Sequence, residues 1–362
     1  MTEAPSPALP RFAGEGVGCA TLLRSLLTLL AAAAGGALFW WLHIPLPWML
    51  GAMAATAALA WNDHARVPPP ARPAALVLLG LGLGQTFTPP VIAAVTLALP
   101  WLILAAVLSI AAGVAMAKPL ARLADTDAKT GYFAAVPGGV IVMAVLAQRA
   151  GASVPAVTLA QTIRVMTVVV LVPPLITWLA PHGNAGAFLA ERPDVVLSGL
   201  ALLLAAGLAV ALVLRKFDVA NPWMLGPCAM VILLSGLGWL PSGVPLWMID
   251  AAQVGMGASL GLRMNRRFVL SSRRLALSSL VSTVLLSVLL ALIAVGLAAL
   301  SGLPPAAAIL GMAPGGMPEM TITAKALEVG VPLVLGFHLV RQVACNLLVG
   351  PAWTLARRLG VF

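Results

Sequence analysis

Two stretches of this chain share one pattern: AAVPGGVIVMAVLAQRAGASVPAVTLAQTIRV, residues 134–165, and GMAPGGMPEMTITAKALEVGVPLVLGFHLVRQ, residues 311–342. At a constant offset of 177, the Pro-Gly-Gly triplet at 137–139 aligns with the triplet at 314–316. Proline and glycine break helices, yet both triplets lie inside apolar runs. Two such segments at one offset indicate a duplicated chain with these segments at the centre of each half.

The composition excludes a water-soluble globular fold. Hydrophobic residues make up 61% of the 362 residues and charged residues only 9%, whereas soluble domains carry about 25% charged residues. A membrane-spanning helix needs about 20 apolar residues, so the chain has room for roughly ten spans. The net charge of +10 comes from basic residues in short loops between apolar runs. This pattern is typical of membrane orientation rather than of nucleic-acid binding.

Two further motifs support the duplication. PWMLG at 47–51 recurs at 222–226 with an offset of 175, and Gly-x-Gly at 82–84 recurs at 255–257 with an offset of 173. The three anchors keep their order, so each half has the same plan of apolar segments around its Pro-Gly-Gly segment. The small residues in the third segment predict close packing of helix backbones.

The basic loops indicate that the two halves have opposite orientations, because short loops rich in Lys and Arg face the cytoplasm. In the first half these loops follow the second and fourth spans, whereas in the second half they follow the first and third. The basic residues are Arg66, Arg72, Lys118, Arg122 and Lys129, then Arg215, Lys216, Arg263, Arg266, Arg267, Arg273 and Arg274. Equivalent loops are therefore expected on opposite sides of the membrane.

An inverted repeat requires an odd number of crossings per half, so one of the six apolar segments cannot cross. The Pro-Gly-Gly segment is the best candidate, because a broken helix can enter the membrane and return where protein or water satisfies its backbone. The sequence thus predicts an all-α polytopic membrane protein with about 10 transmembrane helices in two inverted repeats, each with one re-entrant hairpin. The alternative is twelve plain crossings with parallel halves.

The expected organisation is a disordered cytoplasmic tail at 1–20, a first repeat at 21–182, a linker at 183–196, a second repeat at 197–356 and a cytoplasmic tail at 357–362. The first apolar run is followed by many others, so it is interpreted as a span rather than as a cleaved signal. Five crossings in each half would place both termini in the cytoplasm. We expect a multi-pass protein of the inner membrane.

Arg164 and Arg341 align at the offset of 177 and are the leading candidates for a substrate site. A charged side chain at the centre of a membrane helix costs about 2.5–3.5 kcal/mol on insertion scales, so it pairs with something inside the bundle. One interpretation is that both guanidinium groups bind an anionic substrate, for example a carboxylate. The other is that each binds a helix C-terminus or carbonyls of the neighbouring hairpin. Gln161 and His338, one helical turn earlier, are predicted to join the site.

Glycines complete the predicted substrate site. Gly138, Gly139, Gly315 and Gly316 would let the backbone approach a substrate closely, and broken helices expose amides that hold anions. The alternative is that each triplet only makes a tight turn between two packed helices.

Two titratable residues are predicted to couple transport of the substrate to movement of an ion. Glu319 follows the second triplet and could bind a proton or Na⁺ deep in the membrane, and His338 could carry a proton. The three cysteines and four histidines are scattered along the sequence. Neither a metal site nor a cofactor is predicted from them.

The paired PWMLG and Pro-Gly-Gly motifs, set in a duplicated hydrophobic chain, resemble the AbrB-type membrane protein family with its AbrB duplication. The resemblance covers about residues 22–355. Proteins of this family carry labels such as ammonia monooxygenase or regulator of gene expression, so the resemblance implies a regulatory role. The plan of five spans and a re-entrant Gly-rich segment is also similar to that of citrate and glutamate symporters with an elevator motion, which is an architectural analogy.

Three functions follow from these observations. The leading hypothesis is a secondary transporter of a small anionic or polar solute by alternating access, without enzymatic activity. Its expected partners are a small-molecule substrate, membrane lipids and a second copy in a homodimer. The second is a membrane-embedded regulator or sensor that affects gene expression indirectly, since the sequence has no DNA-binding module. The third and least favoured is a copper or iron monooxygenase, which would need several ligands brought together.

Overall fold

The computed structural model describes residues 19–44, 46–179, 193–217, 221–264, 266, 270 and 272–358. Within these residues every regular element is a helix. Most of the predicted N-terminal tail and of the linker at 183–196, and residues 359–362 of the predicted C-terminal tail, lie outside the described residues.

Fourteen helices lie in the described part of the chain, seven in each half. The first seven are α1 Cys19–Trp41, α2 Pro47–Trp61, α3 Ala71–Gly84, α4 Pro89–Ala124, α5 Ala128–Ala135, α6 Val140–Ala150 and α7 Val154–Leu179. The second seven are α8 Leu197–Lys216, α9 Pro222–Gly236, α10 Leu246–Gly261, α11 Arg273–Ser301, α12 Pro305–Met312, α13 Met317–Ala326 and α14 Val331–Arg358. Helix α9 begins and ends 175 residues after α2, which is the offset of the PWMLG motifs. Helix α12 begins and ends 177 residues after α5, which is the offset of the Pro-Gly-Gly triplets.

Six of the described helices are long and apolar enough to cross a membrane: α1, α4, α7, α8, α11 and α14. Helices α2, α3, α9 and α10 have only 14 to 16 residues. At 1.5 Å per residue they reach about 21–24 Å, short of the ~30 Å hydrocarbon thickness. The prediction of a helical membrane protein is confirmed. Of the roughly ten predicted spans, six have the required length, and the four short helices lie packed among other helices.

The helices pack in two groups, and each group takes helices from both halves. The scaffold group consists of α1, α2, α3, α8, α9 and α10, in which α2 packs on α1 and α10, and α9 packs on α8 and α3. The core group consists of α4–α7 and α11–α14, in which α4 packs on α14 and α11 packs on α7. Each of these contact pairs therefore has a counterpart in which the helices of the two halves are exchanged.

Glycines let α3 and α10 approach the backbones of α9 and α2. A Cβ atom at Gly80 would lie 2.4 Å from the Met224 carbonyl oxygen, and one at Gly257 would lie 2.3 Å from the Met49 carbonyl oxygen. One turn further along, Gly84 and Gly261 meet the carbonyls of Cys228 and Met53 in the same way. No side chain larger than hydrogen fits at these contacts, which explains Gly84 and Gly257 of the Gly-x-Gly motifs. The equivalent glycines in the structure correspond at an offset of 177, not at the offset of 173 at which the two motifs were aligned.

Helices at equivalent places in the two halves run antiparallel. The Val244 N–H, just before α10, donates to Gln85 Oε1 at the end of α3 over 3.0 Å. Likewise Arg274 at the start of α11 forms an ion pair of 2.9 Å with Asp125, directly after α4. Since α3 packs along α10 and α4 along α11, the end of each helix in the first half meets the beginning of its counterpart.

Candidate functional site

The first hairpin consists of α5, the Pro-Gly-Gly turn and α6. Asp127 begins α5, because its carboxylate accepts hydrogen bonds from the Thr130 N–H at 2.9 Å and the Thr130 hydroxyl at 2.5 Å. Partial burial alone would raise the pKa of Asp127, but the hydrogen bonds from Thr130 outweigh it and hold that pKa below its ordinary value. The cap therefore favours the ionised carboxylate at the helix N-terminus.

Two side chains of α7 donate hydrogen bonds to the backbone carbonyls at the end of α5. The Gln161 amide donates to the carbonyls of Phe133, Ala134 and Val136 at 2.7, 3.2 and 3.1 Å. The Arg164 guanidinium donates to the Val136 carbonyl at 2.9 Å and to the Gly138 carbonyl at 2.8 Å. The last carbonyls of a helix have no partner within it, so these two side chains replace the missing amides inside the bundle.

The second hairpin, α12 and α13, is held in the same way by α14. Arg341 donates to the carbonyls of Met312, Ala313 and Gly315 at 3.1, 2.8 and 3.2 Å. At the offset of 177, the Ala313 and Gly315 carbonyls are the counterparts of the two carbonyls that Arg164 binds. Both arginines therefore bind carbonyls of the neighbouring hairpin, as one of the two interpretations from the sequence predicted.

His338 takes the place of Gln161 in the second half. Its Nε2 lies 3.2 Å from the Leu310 carbonyl, and its Nδ1 lies 2.8 Å from an Arg341 nitrogen. Arginine can only donate, so Nδ1 accepts and Nε2 carries the hydrogen that goes to Leu310. Both ring nitrogens of a neutral His338 are thus used within the protein.

The four glycines form the tips of the hairpins and are closely packed. A Cβ at Gly138 would meet the Met143 side chain at 2.2 Å, and a Cβ at Gly315 would meet Val168 of α7 at 2.9 Å. Gly139 faces the Gln342 amide of α14, whose nitrogen would lie 3.4 Å from a Cβ there. The first tip therefore lies against the closing helix of the second half, and the second tip lies against α7.

The two arginines lie close enough for their charges to repel each other. Cys345 of α14 lies near both guanidinium groups, and its thiol donates to the Pro137 carbonyl at 3.2 Å. The structure thus brings the predicted residues of both halves into one buried region, in which Arg164 is 4% and Arg341 7% exposed.

Glu319 lies at the start of α13, folded back over Gly316. Its carboxylate occupies the space in which a Cβ of Gly316 would stand. The side chain is 2% exposed, and its Oε2 has no hydrogen-bond partner. Its charge interacts with Arg263, which follows α10 in the scaffold group. Its counterpart in the first half is Val142, so this carboxylate occurs in one hairpin only.

A small cavity adjoins Arg164, and the sequence analysis missed the residues of α11 that line it. They are Ser279, Ser282 and Thr283, which lie at i, i+3 and i+4 and so share one face of an otherwise apolar helix. This spacing is the feature of the sequence from which a polar face of α11 could have been predicted. Among the described residues, no three His, Cys, Asp or Glu side chains come together as a metal site would require.

Comparison with known proteins gives a family and two relatives. The model of the family described as "Transition state regulatory protein AbrB" matches residues 48–357. The "Uncharacterized protein YhjN" of Bacillus subtilis (strain 168) is 28% identical over 366 residues, which cover 93% of this chain and 94% of the relative. The "Putative regulator AbrB" of Escherichia coli (strain K12) is 26% identical over 318 residues, which cover 86% of this chain and 89% of the relative.

Proposed function

The chain belongs to the AbrB family, as its motifs predicted, and on that premise we propose that it is a secondary transporter of a small anionic or polar solute. In this proposal the two halves are inverted repeats, and the solute crosses by alternating access of a site between them. The protein has no catalytic residue in this proposal.

The inverted repeat is supported by matched helix bounds and opposed helix directions. Helices α2 and α9, and α5 and α12, correspond at fixed offsets. Helices α3 and α10 run antiparallel, with Gln85 at the end of one bonded to Val244 at the start of the other. Repeats that pointed the same way across the bilayer would place these corresponding helices parallel.

The division into two helix groups supports movement of one group against the other. Both hairpins and both arginines belong to the core group, whereas the scaffold group holds the tightly packed glycine contacts of α3 and α10. The similarity to elevator transporters is an analogy of architecture. We propose that the core group carries the substrate and that the scaffold group stays fixed.

One observation carries the proposal: two arginine-capped broken helices lie inside the bundle, and each contacts the closing helix of the other half. Neighbouring cations at this depth favour an anionic ligand, because buried charges require compensation. The tips also leave the first amides of α6 and α13 without a side-chain cap. Such amides, held by protein in a membrane, bind anions in transporters with broken helices.

Flux into proteoliposomes tests the proposal. Purified protein is reconstituted and assayed against a panel of radiolabelled small carboxylates and polar metabolites, with Arg164→Lys and Arg341→Lys as site variants. Lysine cannot bind two carbonyls as a fork, so each variant is expected to lower flux at least tenfold while Gly296→Ala, at a position with open space, keeps it. Absence of protein-dependent flux for every solute would overturn the proposal.

We further propose Glu319 as the residue that couples transport to a proton or Na⁺. Its support is the buried oxygen that has no partner. His338 is the second candidate, and protonation of its Nδ1 would break its bond to Arg341. Glu319→Gln is expected to abolish dependence on an ion gradient while exchange of bound solute persists. Unchanged gradient dependence would exclude Glu319 as the coupling residue.

The family description favours a second candidate function, in which the protein influences gene expression. We propose that any such influence is indirect and follows from the solute that the protein moves or senses. Deletion of the gene would then alter transcripts only when the level of that metabolite changes. Altered transcripts at unchanged metabolite levels, together with absent flux, would favour a sensor over a transporter.

A further inference from the structure

The cavity beside Arg164 holds two buried polar atoms without partners. It lies between α7, the alanines at the end of α5 and the polar face of α11. Arg164 Nε and Ser279 Oγ have no hydrogen-bond partner, and their side chains belong to residues that are 4% and 3% exposed. Leaving a buried donor unpaired costs about 1–3 kcal/mol, and more for a charged group. Both atoms belong to side chains that line one cavity, and this combination points to a ligand there.

The charges around the cavity select an anion. The Arg164 Nε–H can only donate, and a serine hydroxyl can donate as well. The neighbouring charge that acts on Arg164 is that of Arg341, which is also positive. Within the described part of the chain no carboxylate forms an ion pair with Arg164. A neutral water would satisfy the donors but not the charge.

The size of the cavity favours a very small ligand. Its volume is about 10 Å³, close to the space that one water requires. We propose that the cavity binds one small anion of halide size, held by Arg164 Nε and Ser279 Oγ beside Ser282 and Thr283.

The equivalent position beside Arg341 lacks this site. At the offset of 177, the counterparts of the three α11 residues are Leu102, Ala105 and Ala106 of α4, so α4 has no hydroxyl at any of these three places. Arg341 also has more partners than Arg164, since it binds three carbonyls and His338. The anion site is therefore formed by Arg164 of the first half and α11 of the second half, and it has no counterpart beside Arg341. Its existence does not require that the protein transports anything.

Halide-dependent stability tests the inference. The full-length protein in detergent is unfolded by heat in sodium gluconate and in sodium bromide at equal ionic strength. The wild type is expected to show a saturable rise in Tm with bromide, because a ligand that binds the folded state stabilises it. Ser279→Ala is expected to be at least as stable as the wild type in gluconate, since it removes an unpaired hydroxyl, but to need at least tenfold more bromide for the same rise.

Two further measurements fix the location of the anion. Ser278→Ala, a buried neighbour in α11 that does not line the cavity, is expected to respond to bromide as the wild type does. Crystals grown in bromide are expected to show an anomalous peak between Arg164 Nε and Ser279 Oγ. Equal Tm values in bromide and gluconate, or an unchanged bromide response of Ser279→Ala, would overturn the inference.

Discussion

The Cys345 thiol in α14 donates a hydrogen bond of 3.2 Å to the Pro137 carbonyl at the tip of the first hairpin. At the offset of 177, the counterpart of Cys345 is Val168 of α7, which contacts the tip of the second hairpin at Gly315. Each tip is therefore held by the last helix of the opposite half. Only the first tip is held by a hydrogen bond at this position.

Removal of the Cys345 donor is expected to weaken the first tip. Cys345→Val copies the residue of the other half but leaves the Pro137 carbonyl without this partner, and we expect a loss of about 1–3 kcal/mol. Cys345→Ser keeps a donor and should lose less. Thermal unfolding in detergent measures both variants, with Cys228→Val as the control at a buried cysteine of the scaffold group. Equal stability of the valine and serine variants would show that the hydrogen bond does not hold the tip.

Alanine at either of two glycines is expected to push helices of the scaffold group apart. A Cβ at Gly80 or Gly257 would lie within 2.4 Å of a carbonyl oxygen on the facing helix. Overpacking of this kind costs typically about 1–3 kcal/mol, so Gly80→Ala and Gly257→Ala should lower the Tm by similar amounts. Gly296→Ala in α11 meets nothing within 4 Å and should leave the Tm unchanged or slightly raised. A large difference between the first two variants would contradict the equivalence of the two contacts.

Labelling of matched positions distinguishes inverted from parallel halves. Asn62 after α2 and Leu237 after α9 are exposed counterparts at an offset of 175. In a cysteine-free background, Leu237→Cys is expected to react with an impermeant maleimide in intact spheroplasts, and Asn62→Cys only after permeabilisation. Reaction of both cysteines from the same side would support parallel halves.

Loss of the Asp127 carboxylate is expected to destabilise α5 in a manner that depends on pH. An N-cap aspartate contributes about 0.5–2 kcal/mol, and the exposure of Asp127 places it towards the low end through solvent screening. Because folding lowers its pKa, this stabilisation is complete above the unfolded pKa of about 3.9 and is lost as the pH falls through the folded pKa. The Tm difference between wild type and Asp127→Ala should thus be largest near pH 7 and shrink below about pH 4.

Thr130→Val is the companion variant for the Asp127 experiment. It removes the hydroxyl that donates to Asp127 and accepts from the Ser153 N–H, but it leaves the backbone hydrogen bond of the cap in place. Its destabilisation should vary less with pH than that of Asp127→Ala. A pH-independent effect of Asp127→Ala would mean that the carboxylate charge has no part in the cap.

The sequence predicted the place of both hairpins because proline, glycine and a lone arginine have strong physical consequences in an apolar run. The sequence could not predict which hydrogen-bond partners each guanidinium group has. An arginine in the sequence brings five N–H donors, but their partners are known only from the fold. Arg341 donates to carbonyls and to His338, whereas Arg164 Nε has no partner.

The polar face of α11 was equally hard to interpret from the sequence. Serine and threonine in helices often bond to carbonyls one turn earlier, as Thr283 does to Ser279 at 2.7 Å. The spacing of the three hydroxyl residues therefore fits two interpretations. One is hydrogen bonding of the hydroxyl groups within their own helix, and the other is binding of a ligand. The number of long spans also escaped prediction, because hydropathy cannot separate a short helix held by protein from a helix that reaches both faces of the bilayer.

Arginine capping from a later helix also constrains how the ribosome and the insertion machinery produce this protein. Helices α5 and α6 have 8 and 11 residues, so neither can cross the bilayer alone. The carbonyls at their junction are satisfied by Gln161 and Arg164, which are translated later. In the proposed re-entrant topology, the first hairpin is therefore expected to reach its buried position only after α7 has been synthesised, and the second only after α14.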